Sequence, residues 1–251
     1  AEIICNSSAS PFTPLKNISR KRVVQAAAGR MSCVYVLSNM LGLDSDRLVF
    51  DGSGLITTPD GLVTDAPLLS PEPWTLNTGI VDLDQVSRHR VENTSWRDEG
   101  SFFSEDEVPM IVEPIEGGGY VPASLAEYAA QLPKSFFEAE PTAPENEAHV
   151  YLDELYAALV LGLRDYFEKV GVFERFLIAL SGGRDSALCL LLATDAAKLM
   201  KNGTDAENFA ERISSVYLPN KSYSSNATES AARSLAGELG VPFQVVSISD
   251  E

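Results

Sequence analysis

Apolar positions fall into three textures along the chain. Between residues 1 and about 92, short apolar runs alternate with polar, turn-rich stretches. Residues 3–5 read as a strand, 19–30 as a helix ending near Gly29, and 33–37 as a strand rich in β-branched and aromatic side chains. Residues 48–57 and 62–66 flank Pro59-Asp60-Gly61, where proline presets φ and glycine accepts the turn, so the two predict a β-hairpin. Residues 79–83 predict a last strand and 85–91 a polar helix. From His149 the pattern turns regular: Leu152, Leu155, Leu159, Leu163 and Tyr166 recur at three- and four-residue steps, giving an amphipathic helix that ends near Gly171. Strands at 176–180, 213–218 and 243–248 then alternate with helices at 187–200 and 227–239, which stop before Gly203 and at Gly240. That spacing predicts an α/β domain with a parallel, doubly wound sheet covered on both faces.

The middle texture, residues 93–147, keeps neither period for long. It holds six prolines and the run Gly117-Gly118-Gly119, and predicts a connector with one short helix at 124–131. Residues 98–147 also carry twelve acidic side chains against the single Lys134, most of the net charge of −17. A solvated acidic linker explains this better than a basic partner. Nucleic acid is an unexpected partner, since no Lys/Arg-rich face is visible. No apolar run approaches the roughly 18 residues of a membrane span. Cys5, Cys33 and Cys189 lie in apolar segments without a CxxC, which predicts reduced, buried thiols in a cytoplasmic protein. The first and last residues fall in or beside strand-like runs, so both ends are expected to be cut points within a longer chain.

The most specific signal is the run from Phe176 through Leu180 into Ser181-Gly182-Gly183-Arg184-Asp185-Ser186, followed at once by helix. Gly182 and Gly183 lack a Cβ, so their backbone can take positive φ and bring N–H groups close to phosphate oxygens. A helix beginning near Ser186 aims unpaired N–H groups and its positive end at the same point. Ser181 and Ser186 add hydroxyls. Asp185 is out of place as an anion binder, and a carboxylate beside phosphates suggests a bridging Mg2+. The position suits a ligand beyond the carboxyl ends of parallel strands. The plainer alternative is a Ser/Gly-rich turn with Asp185 as helix N-cap. Arg184 suits a phosphate contact or a solvated role about equally. The loop has no GxxxxGK[ST] pattern and no lysine, so it is not a Walker A loop.

This run resembles the SGGxDS motif of the PP-loop ATP-pyrophosphatases, which cleave ATP between its α and β phosphates. The strand end Val216-Tyr217-Leu218-Pro219, the serines 222, 224 and 225, and Ala231-Ala232 through Leu235-Ala236 are similar to the pattern of glutamine-dependent NAD+ synthetases, although Ser230 stands where that family often has Asp or Asn. The resemblance implies ATP binding by Leu180, Ser181, Gly182, Gly183, Arg184, Asp185 and Ser186. It implies a Mg2+ ligand in Asp185, and Tyr217, Leu218, Ser224 and Ser225 near the nucleotide. Residues 2–12 (Glu-Ile-Ile-Cys-Asn-Ser-Ser-Ala-Ser-Pro-Phe), with Lys16 and Arg20-Lys21-Arg22, resemble the nitrilase-type glutaminase domain of the same enzymes, as do residues 33–42, 48–53 and the 59–61 turn. Ser10 and Lys16 match positions that bind glutamine in that family. The amidase Glu, Lys and Cys are expected upstream of Ala1, with no catalytic residue of that triad here, and Cys5 reads as a strand residue rather than the nucleophile.

The resemblance thus implies the C-terminal portion of a nitrilase-type α-β-β-α sandwich at 1–92, the connector at 93–147, and the N-terminal portion of a PP-loop synthetase domain at 148–251. It implies the reaction as well: ATP adenylates the nicotinate carboxyl of deamido-NAD+, and ammonia from glutamine displaces AMP, giving NAD+, AMP and pyrophosphate. Mg2+, a homo-oligomer and inactivity of the isolated segment are further expectations. The rivals are another PP-loop amidotransferase, or a segment without activity of its own. The nitrilase-like residues argue against the first, because other PP-loop enzymes draw nitrogen from different domains.

Overall fold

The computed structural model describes residues 1–44, 47–94, 96, 146–200, 206–219 and 225–247. Ser224, the end of the strand predicted at 243–248, and nearly all of the 93–147 connector with its helix at 124–131 lie outside the described residues.

Alternating apolar positions build the first sheet. β1 (Ile3–Ser8) pairs in parallel with β2 (Val34–Asn39), Ile3 opposite Val34 and Ser8 opposite Asn39, and helix α1 (Lys16–Met31) makes the crossover. Val24 of that helix packs with Leu37, Leu55 and Tyr35. The predicted hairpin is present as β5 (Gly54–Thr58) and β6 (Gly61–Asp65), and the sheet order is β1-β2-β5-β6. The strand predicted over 48–57 is broken at Gly52. Its φ is +69°, and a Cβ there would lie 2.7 Å from Leu41 Cδ1. The first part instead becomes β4 (Val49–Asp51), which pairs with β3 (Leu41–Leu43) as a separate ribbon.

Residues 79–82 are not a strand. A Cβ on Gly79 would lie 3.0–3.4 Å from the side chains of Val63, Thr64 and Ile56, so this segment crosses the face of the sheet instead of pairing at its edge. Asp82 then caps α2 (Leu83–Glu92), its carboxylate accepting the Asp84 N–H at 2.9 Å.

The predicted long helix is α3 (Glu147–Val170), capped by Asn146 and ended by Gly171 at φ +68°. Its buried stripe is rotated from the leucine repeat that signalled it: Leu152 and Leu159 are exposed, while Ala158, Val160, Leu161 and Phe167 are buried. The rotation follows from its two neighbours. Ala158 and Leu161 pack with Leu69, Phe12, Leu41 and Val49, whereas Val160 packs with Leu192 and Ala196. Gly162 permits the close approach on the first side, since a Cβ would lie 3.3 Å from Val49.

The second sheet is wholly parallel, β7 (Phe176–Ala179), β8 (Ile213–Tyr217) and β9 (Phe243–Val245) in that order. Helices α4 (Arg184–Leu199) and α5 (Asn226–Glu238) make the two crossovers. Leu190, Ala193 and Ala197 of α4 share one buried cluster with Ala232 and Ala236 of α5. Both helices therefore lie on one face, as two right-handed crossovers stepping the same way require. The parallel α/β arrangement is as expected. The predicted cover on the other face is not supplied by any described element, and Leu177 there is 68% exposed.

Of the three cysteines only Cys33 is buried. Cys5 and Cys189 are exposed, contrary to expectation, because Cys5 shares the uncovered face of β1 with Ile3 and Ser7, and Cys189 lies on the unpacked side of α4. Among the described residues no helix is long and apolar enough to cross a membrane.

Candidate functional site

The end of β7 is held firmly. Leu180 is buried, and its N–H donates to Val216 O at 2.8 Å, fixing the two strand ends side by side. The chain then turns at Gly182, φ +80°, where a Cβ would overlap Thr228 O at the start of α5. Only glycine meets both demands. Gly183 differs from expectation: its φ of −90° and ψ of 164° are extended, and it serves as the N-cap of α4. The helix starts at Arg184, so Asp185 stands in its first turn and is not the cap. Having no side chain, Gly183 leaves the first-turn N–H groups without a competing cap oxygen, which suits an anion.

The two serines brace this turn. Ser186 Oγ accepts the Ser181 N–H at 3.1 Å, donates to Gly183 O at 3.0 Å, and lies 3.0 Å from Ser181 Oγ. Ser181 Oγ in turn accepts the Gly183 N–H at 3.3 Å. The loop is thus shaped before any ligand arrives. Arg184 and Asp185 are exposed at its rim.

Beside the loop, between the ends of β7 and β8, opens a groove of about 310 Å³ lined by Ala179, Ser181, Val216, Tyr217, Leu218 and Thr228, with Leu180 behind. Tyr217 is buried and its hydroxyl lies 2.9 Å from Thr228 Oγ1. The structure therefore brings Ser181, Tyr217 and Leu218 around one opening, with Ser186 bonded to Ser181 beside it. Ser225 lies close by, but its hydroxyl caps α5 by accepting the Thr228 N–H at 3.3 Å. Sequence reasoning missed Thr228, which touches loop, groove and cap together. Its one legible signal is the Ser225-x-x-Thr228 spacing of a capping box.

Ser10 and Lys16 belong to a different neighbourhood, the loop from β1 to α1. Ser10 N–H donates to Asn39 Oδ1 at 2.8 Å, and Asn39 Nδ2 donates back to Ser10 O at 3.0 Å. Asn39 also donates to Asp51 Oδ1 at 2.7 Å, and Asp51 pairs with Arg20 at 2.7 Å, the two side chains 1% and 8% exposed. Ser53 N–H donates to Asp51 as well, at 3.0 Å. Lys16 Nζ donates to Pro11 O at 2.8 Å. The Arg20–Asp51–Asn39 network was not anticipated, because its members are far apart in sequence. Cys33 is no nucleophile candidate: burial pushes its thiol up, against the opposing pull of Arg90.

A parallel sheet whose first strand runs through a glycine turn into a helix without a side-chain cap, with a groove at its carboxyl edge, defines an open α/β protein with the edge at which such sheets bind ligands. The comparisons make this specific. Residues 155–251 match the NAD synthase family. The chain is similar to the glutamine-dependent NAD(+) synthetase of Aquifex aeolicus (strain VF5), 30% identical over 251 residues, covering all of this chain and 38% of that protein. The Thermotoga maritima enzyme of the same name is 30% identical over 248 residues, 99% of this chain and 37% of its own length. Among solved structures, the glutamine-dependent NAD+ synthetase from Acinetobacter baumannii in complex with ADP aligns with a TM-score of 0.62 at 23% identity, covering 98% of this chain and 34% of that one. The Cytophaga hutchinsonii synthetase aligns at 0.64 and 20%, covering 99% and 36%. These two share the fold. The chain spans a little over a third of the length of the curated relatives it matches.

Proposed function

We propose that this chain is the part of a glutamine-hydrolysing NAD+ synthase, a carbon–nitrogen ligase, in which ATP is held for adenylation of deamido-NAD+. On this reading residues 1–92 are the C-terminal portion of a carbon–nitrogen hydrolase (glutaminase) domain, 93–147 a connector, and 148–251 the first portion of the synthetase domain. The observation that carries the reading is the braced turn at Gly182, set beside the Tyr217–Thr228 groove at the carboxyl edge of the parallel sheet. The adenosine end of ATP lies in the groove, near Tyr217 and Leu218, and the phosphates lie over the first-turn N–H groups of α4.

Each group then has one task. Ser181, Gly182, Gly183 and Ser186 shape and hold the pyrophosphate part of ATP, and Arg184 adds positive charge at the rim. The nicotinate carboxylate oxygen attacks the α phosphorus, its bond to the bridging oxygen breaks, and pyrophosphate leaves against fixed donors that need no reorganisation. Ammonia then adds to the activated carbonyl, and AMP departs with the former carboxyl oxygen. Asp185 fits a divalent cation as a single exposed carboxylate. Among the described residues no group of three or more His, Cys, Asp or Glu could hold a metal alone, so phosphate oxygens would complete the ligand set. Bound Mg2+ would neutralise charge building on the leaving pyrophosphate. Ser10 and Lys16 hold glutamine, whose amide supplies the ammonia. The protein works in the cytoplasm as a homo-oligomer on small molecules, not on nucleic acid or membranes.

The test uses the protein expressed from its complete reading frame, given ATP, Mg2+, deamido-NAD+ and an ammonium salt. NAD+ and pyrophosphate should form in equal amounts, and Asp185→Asn should raise the Mg2+ requirement and cut turnover by roughly a hundredfold or more. An Asp185→Asn protein with unchanged turnover and unchanged Mg2+ dependence would sink the reading.

A further inference from the structure

The loop that carries Ser10 and Lys16 is held in part from outside its own sheet. Leu15, immediately before Lys16, is the N-cap of α1 and has φ +63° and ψ 0°, the left-handed region that a leucine enters only when something holds it there. Its N–H donates to Glu154 Oε2 of α3 at 2.7 Å, a contact between residues 139 apart in sequence. Phe12 of the same loop packs in the cluster containing Ala158 and Leu161, one and two turns further along α3. On the other side, Ser10 is tied to Asn39, and Phe12 N–H donates to Val49 O at 2.7 Å. The loop thus spans from its own β-strands to a helix of the other sheet's neighbourhood, and Lys16 follows directly after the anchor on that helix.

We propose that Glu154 is a positioning residue for the amide-donor site: its carboxylate holds the left-handed turn at Leu15 and so aims Lys16. This rests on the reading of Ser10 and Lys16 as glutamine-binding residues. An N–H bonded to a carboxylate is a charge-assisted contact, strong enough to offset the strain of a non-glycine residue at positive φ. Without it, Leu15 relaxes toward negative φ and the chain enters α1 in a new direction. Lys16, the first residue of that helix, turns with it. The phosphate loop should not feel the change, because it lies at the start of α4, which packs against other residues of α3.

The experiment compares Glu154→Ala, Glu154→Gln and Lys16→Ala with the unaltered protein, all from the complete reading frame. NAD+ formation is driven first by glutamine and then by an ammonium salt. Glu154→Ala should raise the KM for glutamine roughly tenfold, the usual order for a lost charge-assisted hydrogen bond, while ammonium-driven turnover stays unchanged. Glu154→Gln keeps an acceptor oxygen and should restore most of the glutamine KM. If Glu154→Ala leaves that KM within twofold, or lowers ammonium-driven turnover equally, the positioning role is overturned. A Lys16→Ala protein with an unchanged glutamine KM would instead overturn the parent reading of the loop.

Discussion

Replacing Gly182 by alanine puts a methyl group where Thr228 O already stands, on a backbone at φ +80°. Two costs follow. Left-handed backbone costs an alanine about 1–2 kcal/mol relative to glycine. Forcing the turn away from a backbone oxygen, which cannot swing aside like a side-chain tip, adds about 1 kcal/mol more. If the turn is the shape that ATP meets, about 2–3 kcal/mol is lost from the binding-competent state, a fall of roughly thirty- to a hundred-and-fiftyfold in affinity. Gly183→Ala is the internal control. Its backbone is extended, and the nearest atom to a new Cβ is Ser181 Oγ at 3.4 Å, so the turn keeps its shape and the affinity should fall clearly less than in Gly182→Ala. Calorimetric titration of both proteins with Mg-ATP, beside their thermal melts, separates loss of binding from loss of fold. Equal effects of the two substitutions, or a Gly182→Ala protein within twofold of the original, would refute the reasoning.

Three further outcomes are expected. Asp51→Asn strands the buried Arg20 guanidinium without its counter-charge and should cost about 3–5 kcal/mol in urea unfolding, far more than an exposed pair such as Arg88–Asp82. Tyr217→Phe removes the hydroxyl facing Thr228. It should cost about 1 kcal/mol of stability, read from the shift in urea midpoint, and weaken ATP binding severalfold by titration. Burial, and then the hydrogen bond and charge of Asp195, push the Tyr156 hydroxyl up to about 12 from its ordinary value of 10.0. The folded state therefore binds the proton more tightly than the unfolded one. Its stabilising contribution is complete below pH 10 and is lost as pH climbs through about 12. Unfolding curves taken across that window should show a shallower alkaline decline for Tyr156→Phe; an identical slope would contradict this.

The strand, loop and helix around residues 176–199 were legible because each local signal agreed: a short apolar run, glycines at the turn, then helical periodicity. Glycines also marked the helix ends at 171 and 240. What escaped the sequence was tertiary. Gly52 divides a run that reads as one strand, because Leu41 fills the space a side chain would need. The segment at 79–82 has strand-like residues but crosses a sheet face where no strand edge is offered. Helix α3 buried Ala158, Val160, Leu161 and Phe167 and left Leu152 exposed, since two neighbours press on it from different sides. The roles of Thr228 beside Gly182 and Tyr217, and of Asp51 between Arg20 and Asn39, escaped for the same reason: each takes its meaning from residues elsewhere in the chain. The serines of the loop read as free hydroxyl donors, whereas the structure has Ser181 and Ser186 bonding to each other.

Helix α3 gives apolar surface to both of its neighbours at once, Ala158 and Leu161 toward one and Val160 toward the other. A beam shared by two rooms cannot be pulled out for the sake of one. Loosening either side strips water-shy surface from the common element, so the remaining side loses a wall that it did not itself damage. The two halves are therefore expected to melt as one unit, so a substitution that weakens the β3–β4 ribbon lowers the melting temperature of both, even where the geometry at the start of α4 is unchanged.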